Sequence, residues 1–104
     1  MHNDPVLSML GIAAKSGNVV SGEFSTEKAV KTGHAYLVIV STEASGNTKK
    51  SFCNMTDFYH VPCYCYGSKE ALGRCIGKEF RASLAVTDEN LAWAVEKKLK
   101  EHTV

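Results

Sequence analysis

Residues 36–40, Tyr-Leu-Val-Ile-Val, form an unbroken apolar run rich in β-branched side chains. Five residues are too few for a helix of their own, and no polar residue alternates through them, so the run predicts a central strand buried on both faces. A strand covered on both faces requires a layer above it and a layer below. The rest of the chain supplies those layers in a regular order.

Asp4 followed by Pro5 is a helix cap with proline at the first helical position. Val6, Leu10, Ala13 and Ala14 then recur at helical spacing through residue 16, and Gly17-Asn18 provides the stop. Val19-Val20-Ser21 reads as a brief strand that Gly22 ends by turning the chain into a second helix, over about residues 25–32. Gly33 closes that helix, with Ala29 and Val30 facing inward and Lys28 and Lys31 on neighbouring parts of one surface. After the central run, residues 41–47 are polar turn chemistry, and a third helix reaches about Tyr59 with Phe52, Met55, Thr56 and Tyr59 on one face. Residues 61–66 predict a third strand with Pro62 at its start, Cys63 and Cys65 facing one way and Tyr64 and Tyr66 the other. Ser68 caps a short helix whose dipole Glu70 complements. Residues 82–86 predict a fourth strand. Thr87-Asp88 caps a last helix striped by Leu91, Ala92, Val95 and Leu99, with Trp93 toward an edge and fraying expected over residues 102–104. This alternation predicts an α/β fold with a central, mainly parallel sheet covered by helices on both faces.

With 104 residues, of which 44% are hydrophobic and 22% charged, the chain suits one globular domain over residues 1–104. No apolar run approaches the ~20 residues of a membrane helix, and Met-His-Asn-Asp-Pro lacks the features of a secretory signal, so a cytoplasmic location is expected. The formal net charge of +1 gives no global instruction toward nucleic acid. Any polyanion site must come from segregated charge. The cations Lys28, Lys31, Lys49, Lys50, Lys69, Arg74, Lys78 and Arg81 do lie together in mid-chain. Lys49 and Lys50 fall near a helix start, an unfavourable place for cations that suits either a polyanion contact or a solvated surface.

Cys53, Cys63, Cys65 and Cys75, with His60 nearby, lack the knuckle spacing of a zinc site. They are expected to be buried, reduced, structural thiols, with no metal and no cofactor.

The segment from Cys65 to Asp88 is where function should concentrate. Gly73 and Gly77 flank Arg74 and Ile76, and the loop that follows, Lys78-Glu79-Phe80-Arg81, sets two cations and an aromatic ring within four residues. Such a loop offers phosphate contacts, a stacking surface and close backbone approach. The plainer reading makes Gly77 a helix C-cap and Lys78 and Arg81 solvated charges.

The order and spacing of Leu37-Val38-Ile39-Val40, Val61-Pro62-Cys63-Tyr64 and residues 68–77 resemble the kink-turn-binding ribosomal protein family, the L-seven-Ae and L-thirty-e proteins. Ala44-Ser45-Gly46-Asn47-Thr48, Leu72-Gly73-Arg74, Ile76-Gly77-Lys78-Glu79 and Ala85-Val86-Thr87-Asp88 look like its small bacterial YlxQ-type members. The likeness runs from about Leu7 to Leu99. It implies a three-layer α-β-α sandwich around a four-stranded, mainly parallel or mixed sheet, and binding to structured RNA, typically a bent helix with sheared purine pairs. The family's Gly-x-Asn-Glu-x-x-Lys segment matches Gly22-Glu23-Phe24-Ser25-Thr26-Glu27-Lys28. The glycine and lysine are kept, while Phe24-Ser25 replaces the amide and carboxylate suited to reading guanine edges. Glu43 meets the acidic position after the central strand, and the loop that holds a protruding nucleotide corresponds to Gly77, Lys78, Glu79, Phe80 and Arg81. On this likeness Lys28 and Ser25 meet base edges or phosphates, and Lys78, Arg81 and Lys31 neutralise backbone. Phe80 either stacks a splayed base or docks into the core. The implied partners are a ribosomal or other non-coding RNA and proteins of a ribonucleoprotein, with the chain itself a monomer.

No nucleophile elbow, phosphate loop or metal-ligand cluster points to an enzyme. The rival from a different class is a protein-interaction adaptor on the same fold, using Phe24-Ser25 as an apolar contact. The Lys28 and 77–81 combination favours RNA.

Overall fold

A computed structural model describes residues 4–102, so Met1 to Asn3 and the final two positions of the expected fraying lie outside the described residues. The elements are α1 (Pro5–Lys15), β1 (Val19–Ser21), α2 (Glu23–Lys31), β2 (Leu37–Val40), α3 (Gly46–Phe58), β3 (Cys63–Cys65), α4 (Lys69–Cys75), β4 (Ser83–Val86) and α5 (Glu89–His102). Caps stand where the sequence places them. Asp4 Oδ1 accepts from Val6 N and Leu7 N, Ser68 Oγ from Ala71 N, and Asp88 Oδ2 from Leu91 N. Helix α2 begins two residues earlier than expected. Gly22, at φ 93° and ψ 158°, turns the chain sharply enough that Glu23 is already helical, where its carboxylate complements the dipole.

The sheet order is β1-β4-β2-β3. Strands β2 and β3 are parallel, but β4 runs antiparallel to both of its neighbours, so the sheet is mixed and not mainly parallel. The cause is the seven-residue α4 and its return loop. Lys78 N donates to Gly73 O and Arg81 N to Lys69 O, which brings the chain back to where α4 began. A strand starting there must run opposite to β3. Parallel pairing needs a longer crossover.

Two apolar layers sandwich the sheet. On one face Leu37, Ile39, Leu84 and Val86 pack with Leu72 and with Val6, Leu10, Val95 and Leu99 of α1 and α5. On the other, Val38, Val40 and Ala85 pack with Ala29 and Val30 of α2 and Phe52 of α3. All four residues of β2 are fully buried, as the opening run predicted, but Tyr36, the first residue of that run, precedes the strand and is exposed. The cysteines correct the expectation of burial. All four are free, Cys53 and Cys65 are exposed, and Cys63 and Cys75 are only half-buried. Cys63 and Cys65 lie on β3, an outer strand with a neighbour on one side alone, while Cys53 and Cys75 lie on α3 and α4.

Candidate nucleic-acid interface

Because β4 alone is reversed, the C-terminal ends of β1, β2 and β3 meet the start of β4 at one rim of the sheet. Helices α2, α3 and α4 each begin where one of those strands ends. Three helix N-termini therefore open toward this rim, each with the positive end of a dipole; α3 and α4 are capped by Ser45, Ser68 and Glu43, whereas α2 has no side-chain cap and keeps its first N–H groups uncapped. In open α/β sheets, ligands are met at strand carboxyl ends for the same reasons.

Hydrogen bonds between distant segments lock the rim. Gly22 N donates to Ser83 O (3.0 Å), Ser41 N to Ala82 O (2.8 Å) and Thr42 N to Gly67 O (2.9 Å). Ser41 Oγ also donates to Gly67 O at 2.9 Å. Glu43 reaches across to accept from Lys69 N at 3.0 Å, which caps α4 from outside and commits one carboxylate oxygen to the protein itself. Arg81 closes the assembly. Its Nε donates to Ser21 Oγ at 2.9 Å and its Nη1 to Phe80 O at 2.8 Å, joining the loop 77–81 to the start of the 22–28 segment.

The position of that loop depends on Gly73. A Cβ there would overlap the Glu79 carbonyl and approach Phe80 N to 2.9 Å, so only glycine lets the loop backbone lie against α4. Held in this way, Phe80 points outward and is 63% exposed, which excludes docking into the core. Phe24, in the first turn of α2, is 77% exposed. Two bare phenyl rings thus stand on segments that the Arg81–Ser21 bond joins.

The charges sort by position. Among the described residues no carboxylate forms a salt bridge with Lys28, Lys78 or Arg81, whereas Lys31 is held by Glu27 at 2.6 Å. Lys31 also lies at the far end of α2, about 12 Å along the axis from its start. The Glu27 hydrogen bond and charge push the Lys31 ammonium pKa up. Lys28 is about a turn closer to the rim along α2. The exposed acids Glu23 and Glu79 share the rim with these cations, so its positive character is local to Lys28, Lys78 and Arg81 and the helix ends.

Of the residues singled out in the sequence, Gly22, Glu43, Phe80 and Arg81 are tied into this rim by hydrogen bonds, Phe24 and Ser25 follow Gly22 in the first turn of α2, Lys28 lies a turn further and Lys31 apart, while Gly77 sits at the other end of its loop, beside α1. Sequence reasoning missed Ser21, which only pairing of β1 with β4 brings to Arg81, and the packing role of Gly73. It also missed two buried hydroxyls at the base of the rim, Thr26 Oγ1 and Ser83 Oγ, which have no partner among the described residues.

Comparison with known proteins agrees with this architecture. The chain is 40% identical over 84 residues to the RNA-binding protein YlxQ of Bacillus subtilis, covering 81% of this chain and 84% of that protein. It is 35% identical over 77 residues to the large ribosomal subunit protein eL30 of Sulfolobus acidocaldarius, covering 72% and 74%. A solved structure of a protein of unknown function from Bacillus halodurans superposes with a TM-score of 0.91 at 33% identity, over 94% of this chain and 99% of that one. A Giardia lamblia 15.5 kD RNA-binding protein shares the fold, with a TM-score of 0.80 at 21% identity over 97% of this chain and 90% of that one. Residues 4–95 match the model of one family, and the chain belongs to it: the ribosomal protein L7Ae/L30e/S12e/Gadd45 family.

Proposed function

We propose that this protein binds structured, kink-turn-like RNA at the rim formed by residues 22–28, 43 and 77–81, as a non-catalytic component associated with the ribosome or translation in the cytoplasm. The observation that carries the proposal is the Arg81–Ser21 hydrogen bond, which joins a cationic loop bearing the exposed Phe80 to the end of β1, one residue before the Gly22 turn into α2 and the exposed Phe24. That combination suits a folded polynucleotide, whose phosphates are met by cations and N–H groups and whose unstacked bases are met by rings. The relatives named as RNA-binding or ribosomal support the same reading.

In this proposal Arg81 and Lys78 neutralise backbone phosphates. Lys28 and Ser25 contact base edges or phosphates in a groove, and Phe80 stacks a splayed base. Gly22 and Gly77 permit close approach, and Glu43 and Glu79 hold or orient the loops. Lys31, tied to Glu27, falls outside the contact set. With Phe24 and Ser25 in place of an amide and a carboxylate, the chain reads the bend and its phosphates more than guanine edges.

A gel-shift titration with a kink-turn RNA tests this directly. Lys28→Ala and Arg81→Ala are each expected to weaken binding by about 1–3 kcal/mol. Unchanged affinity in both variants contradicts the site. A protein partner recovered equally well from lysate with and without nuclease would favour an adaptor instead.

A further inference from the structure

Beside the rim, a groove of about 340 Å³ runs along the outer flank of α2 against β1. Phe24, Lys28 and Thr32 stand four residues apart and so share one helical stripe, which spans about 12 Å of axis from ring to hydroxyl. Val20 and Thr87 form part of the opposite wall, and His34 closes the far end. The groove starts at the rim with an exposed ring, continues past a cation that makes no salt bridge with a described carboxylate, and ends at an imidazole.

The hydrogen bonding of His34 defines what that end can read. Thr32 Oγ1 donates its proton to Lys28 O at 2.7 Å and lies 2.8 Å from His34 Nδ1. With its only proton spent, the hydroxyl accepts from Nδ1–H, the tautomer in which Nε2 is the acceptor of the ring. An acceptor there fits a ribose 2′-hydroxyl or an exocyclic amino group.

We infer that the groove along Phe24, Lys28 and His34 is a second subsite that takes a short unpaired run of RNA leading away from the rim. Phe24 is its stacking platform, Lys28, which the rim and the groove share, its phosphate contact at the junction, and His34 its terminal acceptor. The inference deepens the proposed RNA reading and depends on it for continuity with the rim. A stacked strand rises about 3.4 Å per nucleotide, so the stripe accommodates about three nucleotides. The Phe24 ring has the place and exposure of a base-stacking surface, and such surfaces are sequence-tolerant because every base has a π-face. This also gives a positive role to the position where the family pattern has a hydrogen-bonding side chain.

The test titrates the full chain with hexa-riboadenylate, r(A)6, and separately with a kink-turn RNA with and without a three-adenosine single-stranded tail. The expected result is that r(A)6 shifts the NMR signals of Phe24 and His34. Phe24→Ala and Phe24→Leu each lower r(A)6 affinity about 5- to 150-fold, whereas Phe24→Tyr retains it, because leucine keeps apolar bulk without a π-face. His34→Ala removes the gain from the tail and leaves binding of the untailed RNA unchanged. Shifts confined to residues 77–81, or a Phe24→Leu variant that binds r(A)6 like wild type, overturn the inference. Failure of the kink-turn RNA to bind while r(A)6 still maps to the groove would overturn the proposed function and leave the groove as a single-strand site.

Discussion

Arg81 and Ser21 are sixty positions apart in the chain, yet Arg81 Nε donates to Ser21 Oγ at 2.9 Å where β1 ends and β4 is about to begin. The bond fixes the direction of a guanidinium that still has donors to offer an anion. Ser21→Ala should therefore weaken RNA binding less than Arg81→Ala, because it loosens the cation without deleting it. Filter-binding titrations of the two variants, with melting temperatures as folding controls, check the ranking; a larger loss from Ser21→Ala would contradict it.

Gly73→Ala is expected to be costly both to the fold and to the site. The added methyl meets the Glu79 carbonyl and Phe80 N, which are backbone and cannot swing aside. Relief requires displacement of the 77–81 loop, at about 1–3 kcal/mol of stability by analogy with overpacked cores. A lowered denaturation midpoint together with reduced RNA affinity is the predicted pair of outcomes.

Ser83→Ala and Thr26→Val should behave in the opposite way. Both hydroxyls are buried with no partner among the described residues, and replacing an unpaired buried polar group with an apolar one is neutral or stabilising. Thermal melts of both variants should show midpoints at or above wild type. A marked drop would reveal a partner for these hydroxyls.

Stability should fall on the alkaline side. Burial raises the Cys63 and Cys75 thiols from 9.0 to about 11. Burial, reinforced by the hydrogen bond to Asp4 Oδ2 at 2.6 Å, raises the Tyr66 phenol from 10.0 to about 12. In each case the folded state holds its proton more tightly than the unfolded chain. Their stabilisation is complete below the unfolded values, about pH 9 for the thiols and about pH 10 for the phenol. It is lost as pH rises through the folded values, because the unfolded chain releases protons first. Melting temperature measured from about pH 8 to about pH 12 should hold to about pH 9 and decline above it, and Tyr66→Phe should flatten the portion above about pH 10.

The elements were legible where local chemistry alone decides them. The Val-Ile-Val run admits only a buried strand, and Asp4, Ser68 and Asp88 carry their caps in their side chains. The sheet was less legible because strand direction depends on how far α4 and its loop carry the chain, and regular alternation suggested longer crossovers. The cysteines misled because Cys63 and Cys65 fall on an outer strand and Cys53 and Cys75 on helix positions turned partly or wholly from the core, neither of which composition signals. At the site, the loop 77–81 announced itself by composition. Ser21 did not, since a serine at a strand end has no signal until register sets it beside Arg81. Lys28 and Lys31 both looked available to RNA, and the Glu27 ion pair together with the place of Lys31 at the last residue of α2 sets them apart.

The most direct test of the rim is photocrosslinking of a bound kink-turn RNA followed by mass spectrometry of the crosslinked peptides. The account predicts attachment within residues 22–28 and 77–81, with Phe24 and Phe80 the principal sites. Crosslinks falling instead on α5 around the exposed Trp93, with the rim unlabelled, would contradict it.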